Sequence, residues 1–262
     1  MYNLIQTLLI FWLGHLVADF LLQSNSLIAR KIKGRASGYL YHGLLHYLAI
    51  AFVMAVVAPS NLLRPRFHAI LFALTVVHLF IDWCKLRLTK SGRIPDGILP
   101  FLVDQALHVI TIVIAVMVYV HAPLQKISSA AQALQPYSTK ALAVVVVYVA
   151  TVFSGGYVLR YMMKPLVRDL PRVADETSEH LQNAGMYIGW LERTLILTAV
   201  IMRSPATIGL VLTAKSIVRY QEMKSGRFAE YFLIGTLLSI VLAIFGGIIL
   251  LKVLHGTVDF TS

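Results

Sequence analysis

The chain has 262 residues, of which 58% are hydrophobic and 13% charged; a soluble domain of this length carries about 25% charged residues. Repeated apolar runs near the roughly 20 residues that cross a bilayer exclude a soluble globular protein and a β-barrel, whose strands alternate over about ten residues. The formal net charge of +11 fits basic loops facing anionic lipid, and no aromatic-plus-basic motif points to nucleic acid.

The predicted fold is all-α: a polytopic membrane protein of about eight helical spans. Span 1 is expected at Leu4 to Leu22, followed by a linker from Ser24 to Ser37 that holds Arg30, Lys31, Lys33 and Arg35. Spans 2 to 4 are expected at Tyr39 to Ala58, His68 to Lys85 and Phe101 to Val120. A polar loop, Gln125 to Thr139, leads to span 5 at Ala141 to Met162, where Gly155-Gly156 is expected to loosen or kink the helix. Lys164 to Ala184 reads as a surface helix plus loop. Spans 6 and 7, Met186 to Met202 and Ala206 to Tyr220, are short and charged, so they are expected to tilt, re-enter or pack within protein. Span 8 is expected at Phe228 to Leu251. Two domains follow: 1–122, a four-helix membrane domain, and 123–262, with a cytoplasmic segment at about 164–185. The linkers after odd-numbered spans are the more basic, which places them in the cytoplasm and both termini outside. Met1 to Gln6 has no basic region of the kind that opens a cleavable signal. The one cysteine, Cys84, excludes an intrachain disulfide and a cysteine-based zinc site.

Each of the first four spans carries a polar pair four residues apart: His15/Asp19, His42/His46, His78/Asp82 and Asp104/His108. Such residues share one helix face, a turn apart. Counted from the same end of each span, Asp19, His42, Asp82 and Asp104 lie at one depth. His15, His46, His78 and His108 lie about 6 Å deeper at 1.5 Å per residue. Four pairs at matched depth are expected to converge on one site near the cytoplasmic face. A single pair would read as an interhelical hydrogen bond; four intramembrane ionisable pairs read as a functional site. His15-Leu-Val-Ala-Asp19-Phe also resembles His78-Leu-Phe-Ile-Asp82-Trp, and nearly equal intervals lead to His42/His46 and Asp104/His108. Spans 1–4 are therefore read as an internal repeat of two helical hairpins, with the site at their interface. Gln23 and Gln105 adjoin it.

Imidazole and carboxylate suit borderline divalent metals, zinc first, then iron or manganese. Eight candidate ligands exceed what one tetrahedral ion uses, so two ions fit better than one. A binuclear centre can activate water and stabilise a phosphoryl or acyl transition state, with Asp19 or Asp104 free to act as general base. His68, His121, His180 and His255 fall outside the pattern. In the second half, Glu192, Arg193, Lys215, Arg219 and Glu230 read as salt bridges holding short helices together, or alternatively as a basic pocket in which Lys215 and Arg219 bind an anionic headgroup.

The motifs His15-xxx-Asp19-Phe-Leu-Leu-Gln23, His42, His78-xxx-Asp82-xx-Lys85 and Asp104-Gln-xx-His108 resemble a family of uncharacterised bacterial inner-membrane proteins known as a domain of unknown function. The resemblance covers roughly residues 10–115. Gly189-Trp-Leu-Glu192-Arg-Thr-Leu, Ala214-Lys-Ser and Glu230-Tyr-Phe-Leu-Ile-Gly resemble the second half of longer members. It implies a bacterial membrane origin and no established activity. The His/Asp content more distantly resembles membrane-bound metal-dependent hydrolases. The expected function is a membrane-embedded metal-dependent hydrolase or transferase acting on a lipid-like or phosphate-bearing substrate, with membrane lipids and an anionic or lipid-like small molecule as partners. A carrier of divalent metal or protons, a non-catalytic scaffold and a di-iron oxidase are the alternatives.

Overall fold

The computed structural model describes residues 4–121, 137–168, 184–220 and 226–255. Most of the polar loop expected at Gln125 to Thr139, and most of the surface segment expected at Lys164 to Ala184, lie outside the described residues. Every regular element among the described residues is helical. In chain order these are α1 (Leu4–Phe20), α2 (Asn25–Ile32), α3 (Ala36–Val57), α4 (Pro59–Leu62), α5 (Pro65–Lys90), α6 (Ile98–Val120), α7 (Tyr137–Val149), a π-helical turn (Ala150–Ser154), α8 (Gly155–Arg168), α9 (Ala184–Ile201), α10 (Pro205–Val218) and α11 (Gly226–His255).

Among the described residues, five helical stretches are long and apolar enough to cross a membrane: Ala36–Val57, Pro65–Lys90, Ile98–Val120, Ser138–Leu166 and Phe228–His255. A sixth arises if α1 and α2, bent by 83° across their short break, count as one span. Of the eight spans expected, those at Met186 to Met202 and Ala206 to Tyr220 are not among these. α9 carries Glu192 and Arg193, and α10 has only 14 residues. The supposed linker after span 1 is largely helical. Ser24 caps α2 by accepting a hydrogen bond from the Leu27 amide at 3.3 Å, which satisfies an otherwise orphan donor of the first turn. Gly34, at φ +71°, takes the left-handed conformation that ends α2.

The chain divides into two compact units, 1–146 and 147–262. In the first, α1, α3, α5 and α6 form a ring in which each packs on two neighbours. Small residues set the spacing, as membrane helices require. A Cβ on Gly14 would stand 2.7 Å from the Ile50 Cα and 2.8 Å from its amide nitrogen, so α1 and α3 touch backbone to backbone one residue before His15. A Cβ on Gly43 would meet the Leu79 side chain at 2.9 Å, drawing α5 against α3 beside His42. A Cβ on Gly38 would meet the Lys31 amide at 2.8 Å, so α2 lies directly on the start of α3. One end of the ring is filled by Phe11, Met54, Phe67, Leu71, Val116 and Tyr119, all buried; Phe11 and Phe67 meet edge to face at 6.0 Å.

In the second unit α9 is central, packed on α10, α11 and the π-helical turn. The expected loosening near Gly155-Gly156 takes the form of that turn, which ends immediately before Gly155. A π turn frees backbone carbonyls from the ordinary ladder. Arg193 answers this: its Nε and Nη2 both donate to the Val152 carbonyl, at 3.0 and 2.7 Å.

Candidate metal centre

All eight candidate ligands converge inside the first unit. Four helices supply them, two residues each, one turn apart on the inward face. His15, His46, His78 and His108 are at most 3% exposed, and His42 is fully buried. Their rings crowd together: His15 lies 5.3 Å from His46, 5.4 Å from His78 and 5.1 Å from His108 between centroids, and His46 and His78 are 3.7 Å apart. Asp82 and Asp19 are the more accessible members, with side chains 14% and 10% exposed, whereas His42 and Asp104, at the same predicted depth, are as buried as the four inner histidines, so burial does not separate the two layers. The histidine layer faces the aromatic end of the bundle, and the aspartate layer faces α2.

Asp19 stands among four histidines. Its Oδ1 accepts from His46 Nε2 at 2.9 Å and lies 3.2 Å from His42 Nε2 and 3.7 Å from His78 Nε2; its Oδ2 is 3.6 Å from His15 Nε2. Asp82 Oδ2 is 3.2 Å from His42 Nε2, and Asp82 Oδ1 is 3.6 Å from His108 Nε2. Asp104 Oδ1 is 3.5 Å from His108 Nε2. His42 Nε2 and His78 Nε2 are 3.0 Å apart, as are His78 Nδ1 and His108 Nδ1.

Three sets of these residues offer ligand atoms all within 4.8 Å of one another: His15, Asp19, His46 and His78; His42, His78 and Asp82; and Asp82, Asp104 and His108. Two ligands about 2.1 Å from a tetrahedral ion stand about 3.4 Å apart. The contacts at 3.5–3.7 Å have that separation and are too long to be good hydrogen bonds. Three of the atoms involved, His15 Nε2, Asp104 Oδ1 and His108 Nε2, are buried and have no hydrogen-bond partner. An orphaned imidazole nitrogen facing an orphaned carboxylate oxygen is costly in a dry interior, and a shared cation resolves both at once. The donor set therefore fits a borderline divalent metal.

The glutamines predicted to adjoin the site do so. Gln23 Nε2 lies 3.4 Å from His42 Nδ1, and Gln105 Nε2 donates to Asp104 Oδ2 at 3.2 Å. With the amide of Gln23 turned so that its oxygen faces the ring, it would accept from Nδ1–H and leave Nε2 of His42 free as a ligand.

Two lysines also belong to the site. Lys31 Nζ donates to Asp82 Oδ2 at 2.7 Å, and Lys85 Nζ donates to Asp104 Oδ2 at 2.8 Å. The motif around Asp82 contains Lys85, and on a helix a residue three positions on lies beside Asp82. Lys31 carries no such signal. It reads as one of four basic linker residues and reaches Asp82, 51 positions away, because α2 folds back on α3. Between the histidines and Ile50, Leu74, Thr75, Thr111 and Ile112 lies an internal space of about 10 Å³, enough for the centre of one water or ion.

The charged group of the second unit is arranged differently. Lys215 Nζ donates to Glu192 Oε2 at 2.7 Å and lies 5.3 Å from the centre of the Phe232 ring. Arg219 caps α10 at its C-terminal end. Lys215, one of the two cations proposed for an anionic headgroup, is thus held by a carboxylate, as the salt-bridge reading expects. Arg193 binds a carbonyl instead of a carboxylate, with Ser239 Oγ 3.5 Å away. His68 and His121, set outside the pattern, are accounted for locally. His68 donates from Nε2 to the Leu62 carbonyl at 2.7 Å and bonds the Tyr47 hydroxyl through Nδ1 at 2.6 Å. His121 ends α6 at φ +54°. His255 is exposed in the last turn of α11, and His180 lies outside the described residues.

No curated protein and no solved structure matches the chain. Residues 7–135, which contain all eight clustered side chains and both lysines, match the model of a family described as "Protein of unknown function (DUF3307)".

Proposed function

We propose that this chain is a membrane-embedded metal-dependent enzyme, a hydrolase or transferase of a lipid-like or phosphate-bearing substrate. Its catalytic centre is a binuclear His/Asp site near the cytoplasmic face of the bacterial inner membrane, with both termini outside. The observation that carries the reading is the set of buried, partnerless atoms, His15 Nε2, His108 Nε2 and Asp104 Oδ1, each within 3.6 Å of another candidate ligand atom. Structural hydrogen bonds would have closed these gaps; a cation between them satisfies every one. His15, Asp19, His42, His46, His78, Asp82, Asp104 and His108 are the ligands, zinc first, then iron or manganese. Asp19 or Asp104 would serve as general base when not committed to the metal, and ions held by these residues would supply the chemistry of water activation and of charge stabilisation at an anionic oxygen.

The two-hairpin repeat accords with the contact pattern. His46–Asp19 and His108–Asp82 occupy equivalent positions under it, at 2.9 and 3.6 Å, as do His15–Asp19 and His78–Asp82, at 3.6 and 3.9 Å. A substrate would approach the aspartate layer, because the aromatic end of the bundle is filled.

Elemental analysis of the purified, intact protein after loading with Zn²⁺, beside a His46→Ala/His78→Ala variant, tests the proposal. Stoichiometric metal in the former and about a thousandfold weaker binding in the latter are expected. Absence of stoichiometric metal in the intact protein would overturn it. An ion carrier is the second reading, favoured by the inner space of about 10 Å³, which admits an ion and not a lipid. Uptake of Zn²⁺ or protons into proteoliposomes, without turnover of any phosphate ester, would decide for the carrier.

A further inference from the structure

We propose that the centre is unequal. His15, Asp19, His46 and His78 hold one divalent ion tightly, whereas Lys31 and Lys85 supply the positive charge around Asp82 and Asp104, so that a second ion binds there only weakly. The inference rests on the metal-centre reading above and divides it.

The first set is complete: three imidazoles and one carboxylate, all buried, with ligand atoms within 4.8 Å of one another. It matches the four-coordinate nitrogen and oxygen environment that zinc prefers. Among the described residues the ion pairs of Asp19 are all with histidines and none is with a lysine. A divalent ion there would meet a carboxylate that carries no ammonium partner.

The other two sets differ on both counts. Each has three members. His78 belongs to the first set as well, and committing its Nε2 there leaves His42 and Asp82 without a third partner. What remains is Asp82, Asp104 and His108, where both carboxylates already bind an ammonium group, at 2.7 and 2.8 Å. A cation entering this set keeps the free oxygens, among them Asp104 Oδ1, but meets two positive charges within a few ångströms in a medium that screens them poorly. Of the three carboxylates, Asp82 and Asp104 each have a lysine ammonium group as partner, and Asp19 has imidazoles alone. The placement of Lys31 is built: Gly38 allows α2 to seat on α3, Ser24 caps α2, and the Lys31 side chain is only 10% exposed.

The test is retention of Zn²⁺ by the full-length protein in detergent micelles after dialysis, counted by elemental analysis. The wild type is expected to keep one equivalent, the Lys31→Met/Lys85→Met variant two, and the Lys31→Arg/Lys85→Arg variant one. The second equivalent is expected to tighten about a hundredfold when both ammonium groups are removed. Should the Met variant not fold, single substitutions in the wild type decide. His15→Ala is expected to lose the retained ion and His108→Ala to keep it. Two equally tight equivalents in the wild type, or loss of the ion from His108→Ala and not from His15→Ala, would overturn the asymmetry while leaving the metal centre standing. No retained ion in any variant would overturn the metal centre itself.

Discussion

Both units of this protein bury ionisable side chains, and they complete them in opposite ways. In the second, every charge of α9 meets a conventional partner. Glu192 takes Lys215, and Arg193 takes the Val152 carbonyl that the π-helical turn releases. In the first, five histidines and three aspartates crowd together, several of their contacts at 3.5–3.7 Å are too long for good hydrogen bonds, and three of their atoms have no partner. Burial of polar groups is costly in both. Around α9 that cost is offset with intrachain bonds, although the Ser154 Oγ of the π-helical turn has no partner; in the first unit, orphaned ring nitrogens and a carboxylate oxygen stand side by side. Charge inside a membrane helix is therefore a weak sign of function, and incomplete pairing a stronger one.

The largest effect that would test this contrast is at Gly14. Gly14→Val forces α1 and α3 apart where their backbones touch, at a cost of about 3 kcal/mol or more. The thermal midpoint in detergent should fall and Zn²⁺ retention should be lost with it. Unchanged retention would mean that the cluster does not depend on this close approach. Arg193→Met comes next. It leaves the Val152 carbonyl unanswered, removing two charge-assisted hydrogen bonds, and should destabilise by about 2–3 kcal/mol. Here metal retention by the first unit should stay at the wild-type value, and a fall in retention at unchanged thermal midpoint would break the division between a structural and a functional set of charges. The smallest effect is at Gln23. Gln23→Ala removes the group beside His42, which itself stands 3.2 Å from Asp19 Oδ1, so it reaches the retained ion only through a ligand's neighbour, and the effect belongs at the low end of the 10–100-fold that outer partners contribute to metal affinity. Metal competition against a chelator of known affinity should show a loss of about tenfold with no change in thermal midpoint; a stability change without an affinity change would reassign Gln23 to structure.

Much of the site is legible along the chain because its grammar is local. A pair four residues apart faces one way on any helix, and depth follows from a fixed rise per residue. Those two facts pick out all eight side chains before any tertiary contact is known. The spans are legible for the same reason wherever an apolar run is uninterrupted. They fail at α9 and α10, where Glu192, Arg193 and Lys215 lie inside apolar stretches and length no longer decides. They fail again after Phe20, where a basic stretch that reads as a linker is a capped helix bent by 83° from α1.

The sequence by itself determined an all-helical chain with apolar helices able to span a membrane and four matched polar pairs, because periodicity and hydropathy act within single helices. Only the tertiary structure decided which ligands share a set, which carboxylates bind lysine, and that Lys31 belongs to the site at all. Those depend on backbone approach at Gly14, Gly38 and Gly43 and on one sharp bend, which bring together residues dozens of positions apart. The resulting asymmetry, with Asp19 ringed by histidines and Asp82 and Asp104 each held by an ammonium group, distinguishes α1 and α3 from α5 and α6 although their motifs resemble each other along the chain.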